Sequence, residues 1–165
     1  MHESYLLFMQ YIDLLNSKRV IVDDEDFELL KKYSWRFMGR YVVRHQLKGE
    51  YTDVKKRKII AIHTQIMRPS KGFQVDHINH NPLDNRKANL RLATQQQNIW
   101  NRRKWKMDGY SKYKGVSFYK KAGKWVSSIK FNGRSIYLGT YDNEISAARA
   151  YKKKARELFQ EFAYA

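Results

Sequence analysis

The stretch from Val75 to Asn98, VDHINHNPLDNRKANLRLATQQQN, constrains this chain more than any other. Gln74 to Ile78 reads as a short strand, and Asn79 to Asn85, dense in Asn, Asp and Pro, reads as a loop. Asn89 opens a second apolar stretch, Leu90-Arg91-Leu92, whose alternation suits a strand. Thr94 stands three residues before Gln97, the spacing of a capping box, so a helix starts here with Asn98 in its first turn. The order strand, loop, strand, helix puts Asp76 and His77 on one arm and Asn98 on the other, and such a unit can hold one metal ion between its arms.

The residue types suit one chemistry. A carboxylate and a side-chain carbonyl are hard oxygen donors for Mg²⁺ or Mn²⁺, which keep several waters and a substrate phosphate as their other ligands. A histidine with an ordinary pKa of about 6.5 is largely neutral at cellular pH and can take a proton from water. The segment resembles the HNH (His-Me finger, ββα-metal) endonucleases, in particular the branch found in phage and intron-encoded homing endonucleases. The resemblance implies that His77 is the general base, that Asp76 and Asn98 are metal ligands and that Asn89 holds the His77 ring in orientation. It also implies Mg²⁺ (or Mn²⁺) as cofactor and double-stranded DNA as substrate. His80 stands where that family frequently has glycine. His63 begins a short helical piece, His63 to Met67, closed by Pro69. The same feature recurs upstream of the motif in the resembled nucleases, and a histidine beside apolar residues reads as packed.

The charge agrees with such a partner. The net charge is +17, and it is uneven: 17 basic and 11 acidic residues run through Asn98, 16 and 5 follow it. A polyanion is the natural partner of that excess, and nucleic acid is the commonest one. The absence of cysteine excludes disulfides and thiolate zinc sites and agrees with a reducing compartment. No apolar run is long enough for a membrane span and no signal-peptide pattern opens the chain, so a soluble intracellular protein is expected.

Elsewhere in the first half, residues 2 to 15 are apolar without a clear period, and helix and strand both remain open. Lys18 to Val22 reads as a strand, and Asp23-Asp24-Glu25-Asp26 leads into a short helix whose first-turn carboxylates complement the helix dipole. Trp35 to Phe37, Arg40 to Gln46 and Lys58 to His63 read as strands. After Asn98 the helix runs to Asn101 and turns basic at Arg102, Arg103 and Lys104, which could sit on phosphates.

From Ser111 the pattern changes to three short strands and one amphipathic helix. Turns fall at Lys121 to Gly123 and at Asn132-Gly133, a strong hairpin signal. Ala148, Tyr151, Ala155 and Leu158 share a helix face, Asn143 suits the N-cap, and Trp125, Ile129, Ile136 and Leu138 suit the sheet beneath. Ser128, Lys130, Ser135 and Tyr137 then point the other way. A three-stranded sheet with such a face can enter the major groove. Tyr113-Lys114-Gly115-Val116, Gly123-Lys124-Trp125, Tyr137 to Asp142 and Ala147 to Tyr151 resemble the DNA-binding domain of plant ethylene-response (APETALA-two type) factors. That resemblance implies DNA-facing positions at Lys114, Ser117, Tyr119, Ser128, Lys130, Ser135 and Tyr137.

The expectation is an α+β chain. It has a nuclease domain over 1–101 with a ββα-metal core at 74–101, a basic linker at 102–110, and an APETALA-two-like domain over 111–165. A homing endonuclease that nicks or cuts double-stranded DNA follows, working as a monomer or weak dimer in the cytoplasm of a bacterial or phage-infected cell, at the nucleoid. The alternatives are a non-catalytic DNA-binding regulator that retains a nuclease scaffold, and an RNA-binding, maturase-like protein.

Overall fold

The computed structural model describes residues 9–50, 58–104 and 111–164. Residues 2–8 of the ambiguous opening segment and 105–110 of the expected linker lie outside the described residues. The chain divides into two compact units, Met1–Gln95 and Gln96–Ala165.

In the first unit, the ambiguity over residues 9–13 resolves as a strand. β1 (Met9–Asp13) pairs antiparallel with β2 (Arg19–Asp23), which runs into helix α1 (Asp24–Leu30). A second sheet joins β3 (Arg36–Phe37), β4 (Val42–His45) and β5 (Ile59–Ala61), and helix α2 (Ile62–Met67) follows at once. These elements gather on Ile12, Leu14, Val20, Val22, Leu30, Trp35, Val42 and Ile62, all buried. Trp35 places its indole N–H on the Leu30 carbonyl at 2.8 Å, so the largest core ring leaves no polar atom unsatisfied.

The region singled out by the sequence follows. β6 (Phe73–His77) pairs antiparallel with β7 (Leu90–Thr94), and helix α3 (Gln95–Asn101) begins directly after β7. Between the strands, His80 takes a left-handed φ of 61°. That conformation is cheap for glycine and strained for other residues, which accounts physically for glycine being frequent at this position.

The second unit is a three-stranded antiparallel meander, β8 (Val116–Tyr119), β9 (Lys124–Phe131) and β10 (Arg134–Tyr141), with α4 (Glu144–Phe159) packed on it. The Asn143 side chain accepts from the Ser146 amide at 2.8 Å, the expected cap. Ala147, Ala148, Tyr151, Ala155 and Phe159 form the buried stripe of α4. Leu158 is only half-buried, because the stripe continues from Ala155 to Phe159 by a step of four rather than three. The second compact unit takes in α3 from Gln96 onward. The reason is packing: Trp100 stacks on Phe159 with ring centroids 4.5 Å apart and planes at 10°, and lies 5.7 Å from Phe131.

Candidate active site and nucleic-acid face

The pairing of β6 with β7 sets Asp76 opposite Arg91 and His77 opposite Leu90. Residues directly opposite on paired strands project to the same face, and Arg91 grips Asp76 Oδ2 through Nε at 2.9 Å and Nη2 at 2.8 Å. Both partners are largely buried, so the pair holds Oδ2 of the carboxylate in place. The twelve-residue connection between the strands hid this register, and with it the arginine.

His77 is 7 % exposed, and its Nε2 lies 3.1 Å from Oδ1 of the fully buried Asn85. The Asn85 amide nitrogen donates to the Pro82 carbonyl at 2.9 Å, which turns its oxygen toward the ring. A carbonyl oxygen only accepts, so Nε2 carries the proton and Nδ1 keeps the lone pair. Burial pushes the His77 pKa below its ordinary value, against the upward pull of the Asn85 hydrogen bond and of the Asp76 and Asp84 carboxylates. At neutral pH the ring is therefore a neutral base.

Asn89, expected to hold that ring, is engaged elsewhere. Its Oδ1 accepts from the Asn79 amide at 3.0 Å, and its Nδ2 donates to Asn79 Oδ1 at 3.0 Å and to the Asp84 carbonyl at 2.8 Å. Asn89 ends a 3-10 turn, Lys87–Asn89, and that position aims its side chain into the loop. The asparagine whose side chain meets the His77 ring is Asn85. A loop with asparagines at 79, 81 and 85 gave no sequence signal to single it out.

The same loop is stitched to β2. The Ile21 amide donates to the Leu83 carbonyl and the Asn85 amide to the Ile21 carbonyl, each at 2.8 Å. Asp23 does not cap α1 with its side chain; its Oδ2 takes the Lys87 amide at 2.7 Å. Oxygens of Asp23, Glu25 and Asp26 lie close together, and the Lys87 ammonium already contacts Glu25 at 2.6 Å and Asp26 at 3.3 Å. Asp84 anchors the loop from within, accepting from Arg86 twice at 2.8 Å and from Asn79 at 3.0 Å.

His63 opens toward the same ring. It is buried, sits edge-on to His77 with centroids 5.1 Å apart and planes at 81°, and touches Tyr41 at 4.8 Å. Burial, and next the nearby His77 charge, push its pKa down to about 4, so it is neutral wherever His77 could act as a base. Its Nδ1 has no hydrogen-bond partner among the described residues.

Asn98 falls in the first turn of α3 and is half-buried. A carboxylate oxygen at Asp76 and an amide oxygen at Asn98 are donors of the type that Mg²⁺ or Mn²⁺ takes, and the neutral imidazole beside Asp76 can serve as base without being a ligand.

In the second unit the register collects the expected face. Ser135 pairs with Lys130, Tyr137 with Ser128, and Tyr119 with Lys124, while Ser117 pairs with Val126, which also faces Thr140. Ser117, Tyr119, Ser128, Lys130, Ser135 and Tyr137 therefore share one side of the sheet, with Tyr119 51 % and Tyr137 64 % exposed. An irregularity at Leu138, between Tyr137 and Gly139, restores the alternation further along β10. Lys124, Val126 and Thr140 lie on this side too and were not singled out by the sequence.

Two expected DNA contacts sit differently. Lys114 Nζ donates to the carbonyls of Ile99 (3.1 Å), Trp100 (2.8 Å) and Arg102 (3.0 Å), and Lys104 Nζ donates to those of Tyr113 (2.9 Å) and Val116 (3.4 Å). The ends of helices and strands leave carbonyls unsatisfied, and these two ammonium groups answer that need. Arg102 and Arg103 remain exposed.

Comparison with known proteins agrees with this geometry. The HNH endonuclease family matches residues 68–99, over the β6–β7 hairpin and the start of α3. The chain is 35% identical over 141 residues to an uncharacterized HNH endonuclease of Acanthamoeba polyphaga mimivirus, covering 84% of this chain and 70% of that one. It belongs to the HNH endonucleases. A further relative is Protein 3.8 of Escherichia phage T7, 34% identical over 93 residues, 56% of this chain and 75% of that one. The AP2 domain family matches residues 111–161, and APETALA2-like protein 2 of Oryza sativa subsp. indica is 47% identical over 45 residues, 27% of this chain and 10% of the plant protein. The chain thus joins an HNH segment to an AP2 domain. No solved structure matches it.

Proposed function

We propose that this protein is a sequence-targeted, divalent-metal-dependent DNA endonuclease of the homing type, hydrolysing phosphodiester bonds and nicking or cutting double-stranded DNA. The observation that carries the reading is the buried His77, its Nε2 held by Asn85 at 3.1 Å, beside the Asp76–Arg91 pair on one hairpin. In a ββα-metal arrangement β6, β7 and α3 supply the parts, and Asp76 and Asn98 would hold Mg²⁺ or Mn²⁺. When bound, that ion supplies charge neutralisation at the scissile phosphate and the departing 3′ oxygen.

His77 takes the proton of the attacking water. His63 stays neutral as this happens, so its edge contact adds no like-charge repulsion to the imidazolium that forms. Asn85 and Asn89 hold ring and loop. The functional division runs as a nuclease domain over 1–101, a basic linker over 102–110 and a DNA-binding domain over 111–165. The exposed sheet face of Ser117, Tyr119, Ser128, Lys130, Ser135 and Tyr137 reads base edges, while Arg102 and Arg103 meet phosphates. The viral relatives support work in a phage-infected cell; action at the nucleoid, as a monomer or weak dimer, is part of the same proposal.

The test is incubation of the purified protein with supercoiled plasmid. Conversion to open-circular or linear DNA that requires Mg²⁺ or Mn²⁺ and stops with EDTA is the expected result. Plasmid that stays supercoiled at all protein and metal concentrations, with duplex binding intact, would instead mark a non-catalytic regulator.

A further inference from the structure

The helix that carries Asn98 is continuous in sequence with the nuclease hairpin but is built into the core of the second unit. Two features hold it there. The Trp100 indole lies flat on Phe159, at the end of α4, and against Phe131, at the end of β9. Lys114 then spans the carboxy-terminal end of α3, its ammonium on three carbonyls at 2.8 to 3.1 Å.

Each feature is more than surface decoration. A seven-residue helix is too short to be stable alone, so its order must come from tertiary contacts. Carbonyls at a helix end carry partial negative charge, and a cation placed on them both satisfies and stabilises that end. Burial pushes the Lys114 pKa down to about 8, with the nearby Arg102 charge adding to the shift, and at neutral pH the group still carries its proton. A lysine committed to three backbone acceptors is poorly placed to serve as a phosphate contact. Its place among the residues that resemble the plant domains therefore carries a different task here.

We infer that Trp100 and Lys114 are positioning residues for DNA cleavage: they hold the order of α3, and with it the backbone that carries Asn98. This rests on the proposed role of Asn98 as a metal ligand. It implies that a substitution inside the DNA-binding domain, away from its DNA-facing sheet, lowers cleavage without lowering affinity.

The experiment uses the full chain with Lys114→Met, Lys114→Arg and Trp100→Leu, and reads amide hydrogen exchange, plasmid nicking and duplex affinity by gel shift. Lys114→Met is expected to speed exchange of the amides over 96–101 by about ten-fold or more, the loss of one to two kilocalories of local order. Exchange over 73–77 and 90–94 should be unchanged. Nicking should fall by a similar factor while duplex affinity stays within about two-fold. Lys114→Arg keeps charge and donors and should restore most of both. Trp100→Leu gives the same answer from the other contact if Lys114→Met folds poorly.

Unchanged exchange over 96–101 with weakened duplex binding would make Lys114 a DNA contact and overturn the inference, and faster exchange with full nicking would overturn it equally. Asn98→Ala keeps the two readings apart. It should abolish nicking with α3 as protected as before, whereas full nicking by that variant removes the ligand role of Asn98 itself.

Discussion

At the scale of single residues, the central feature is how the proposed base, His77, is held. A histidine can act as a base through either nitrogen, and the tautomer is set by whatever the other nitrogen meets. Here Asn85, itself fixed by Pro82, commits Nε2 to carrying the proton. Asn85→Leu fills much the same space without the acceptor. It is expected to lower plasmid nicking by about ten- to a hundred-fold at pH 7, the usual range for an orienting partner, with gel-shift affinity unchanged. Nicking at the wild-type rate by a folded Asn85→Leu protein would show that the ring is held by other means. The hairpin that carries Asp76 and His77 was legible in the sequence, while the expected contact of Asn89 with the His77 ring was not found. Asn85 and Arg91 were not legible, because the first is one of several loop asparagines and the second depends on a strand register that a long loop leaves open.

At the scale of elements, most of the order was legible where pattern and punctuation agreed. The strands around Val20, Val43 and Val75, the helix after Thr94 and the Asn132-Gly133 hairpin follow from alternation, acidic helix starts and turn residues. Residues 9–13 were not, since a dense apolar run fits either period until a partner strand appears. The edge of the second unit shows how closely its elements approach. Gly115 has φ +69°, and a Cβ there would lie 2.0 Å from a Tyr151 ring carbon and 2.4 Å from the Ser128 carbonyl oxygen. Neither an L side chain at that φ nor the space exists. Gly115→Ala is expected to cost about 2–4 kcal/mol, from backbone strain plus overpacking. Thermal unfolding followed at Trp and Tyr signals should show it as a lower midpoint, and an unshifted midpoint would mean that α4 can move away from the sheet.

At the scale of the whole molecule, the proposed division of labour assigns cleavage to the β6–β7 hairpin and targeting to the exposed sheet face. The exposed sheet face is one surface, brought together by strand register from residues spread over Ser117 to Tyr137, and the buried His77–Asp76 hairpin is another. Composition announced the polyanion partner, but it did not show that Lys104 and Lys114 are turned onto backbone carbonyls, since a lysine that caps and a lysine that binds phosphate look alike in a sequence. Nor did it show that α3 packs with the AP2 core, because Trp100 finds Phe131 and Phe159 only across a large separation in the chain.

The most direct measurement sets two variants side by side, His77→Ala and Lys130→Ala, with plasmid nicking in Mg²⁺ and gel-shift affinity read on the same preparations. His77→Ala should lose about 10²- to 10⁴-fold in nicking with duplex affinity intact, the usual contribution of a general base. Lys130→Ala should weaken duplex binding and relax the preference among target sequences, while nicking recovers at saturating protein. Equal loss of binding in both variants, or full nicking by His77→Ala, would contradict the account.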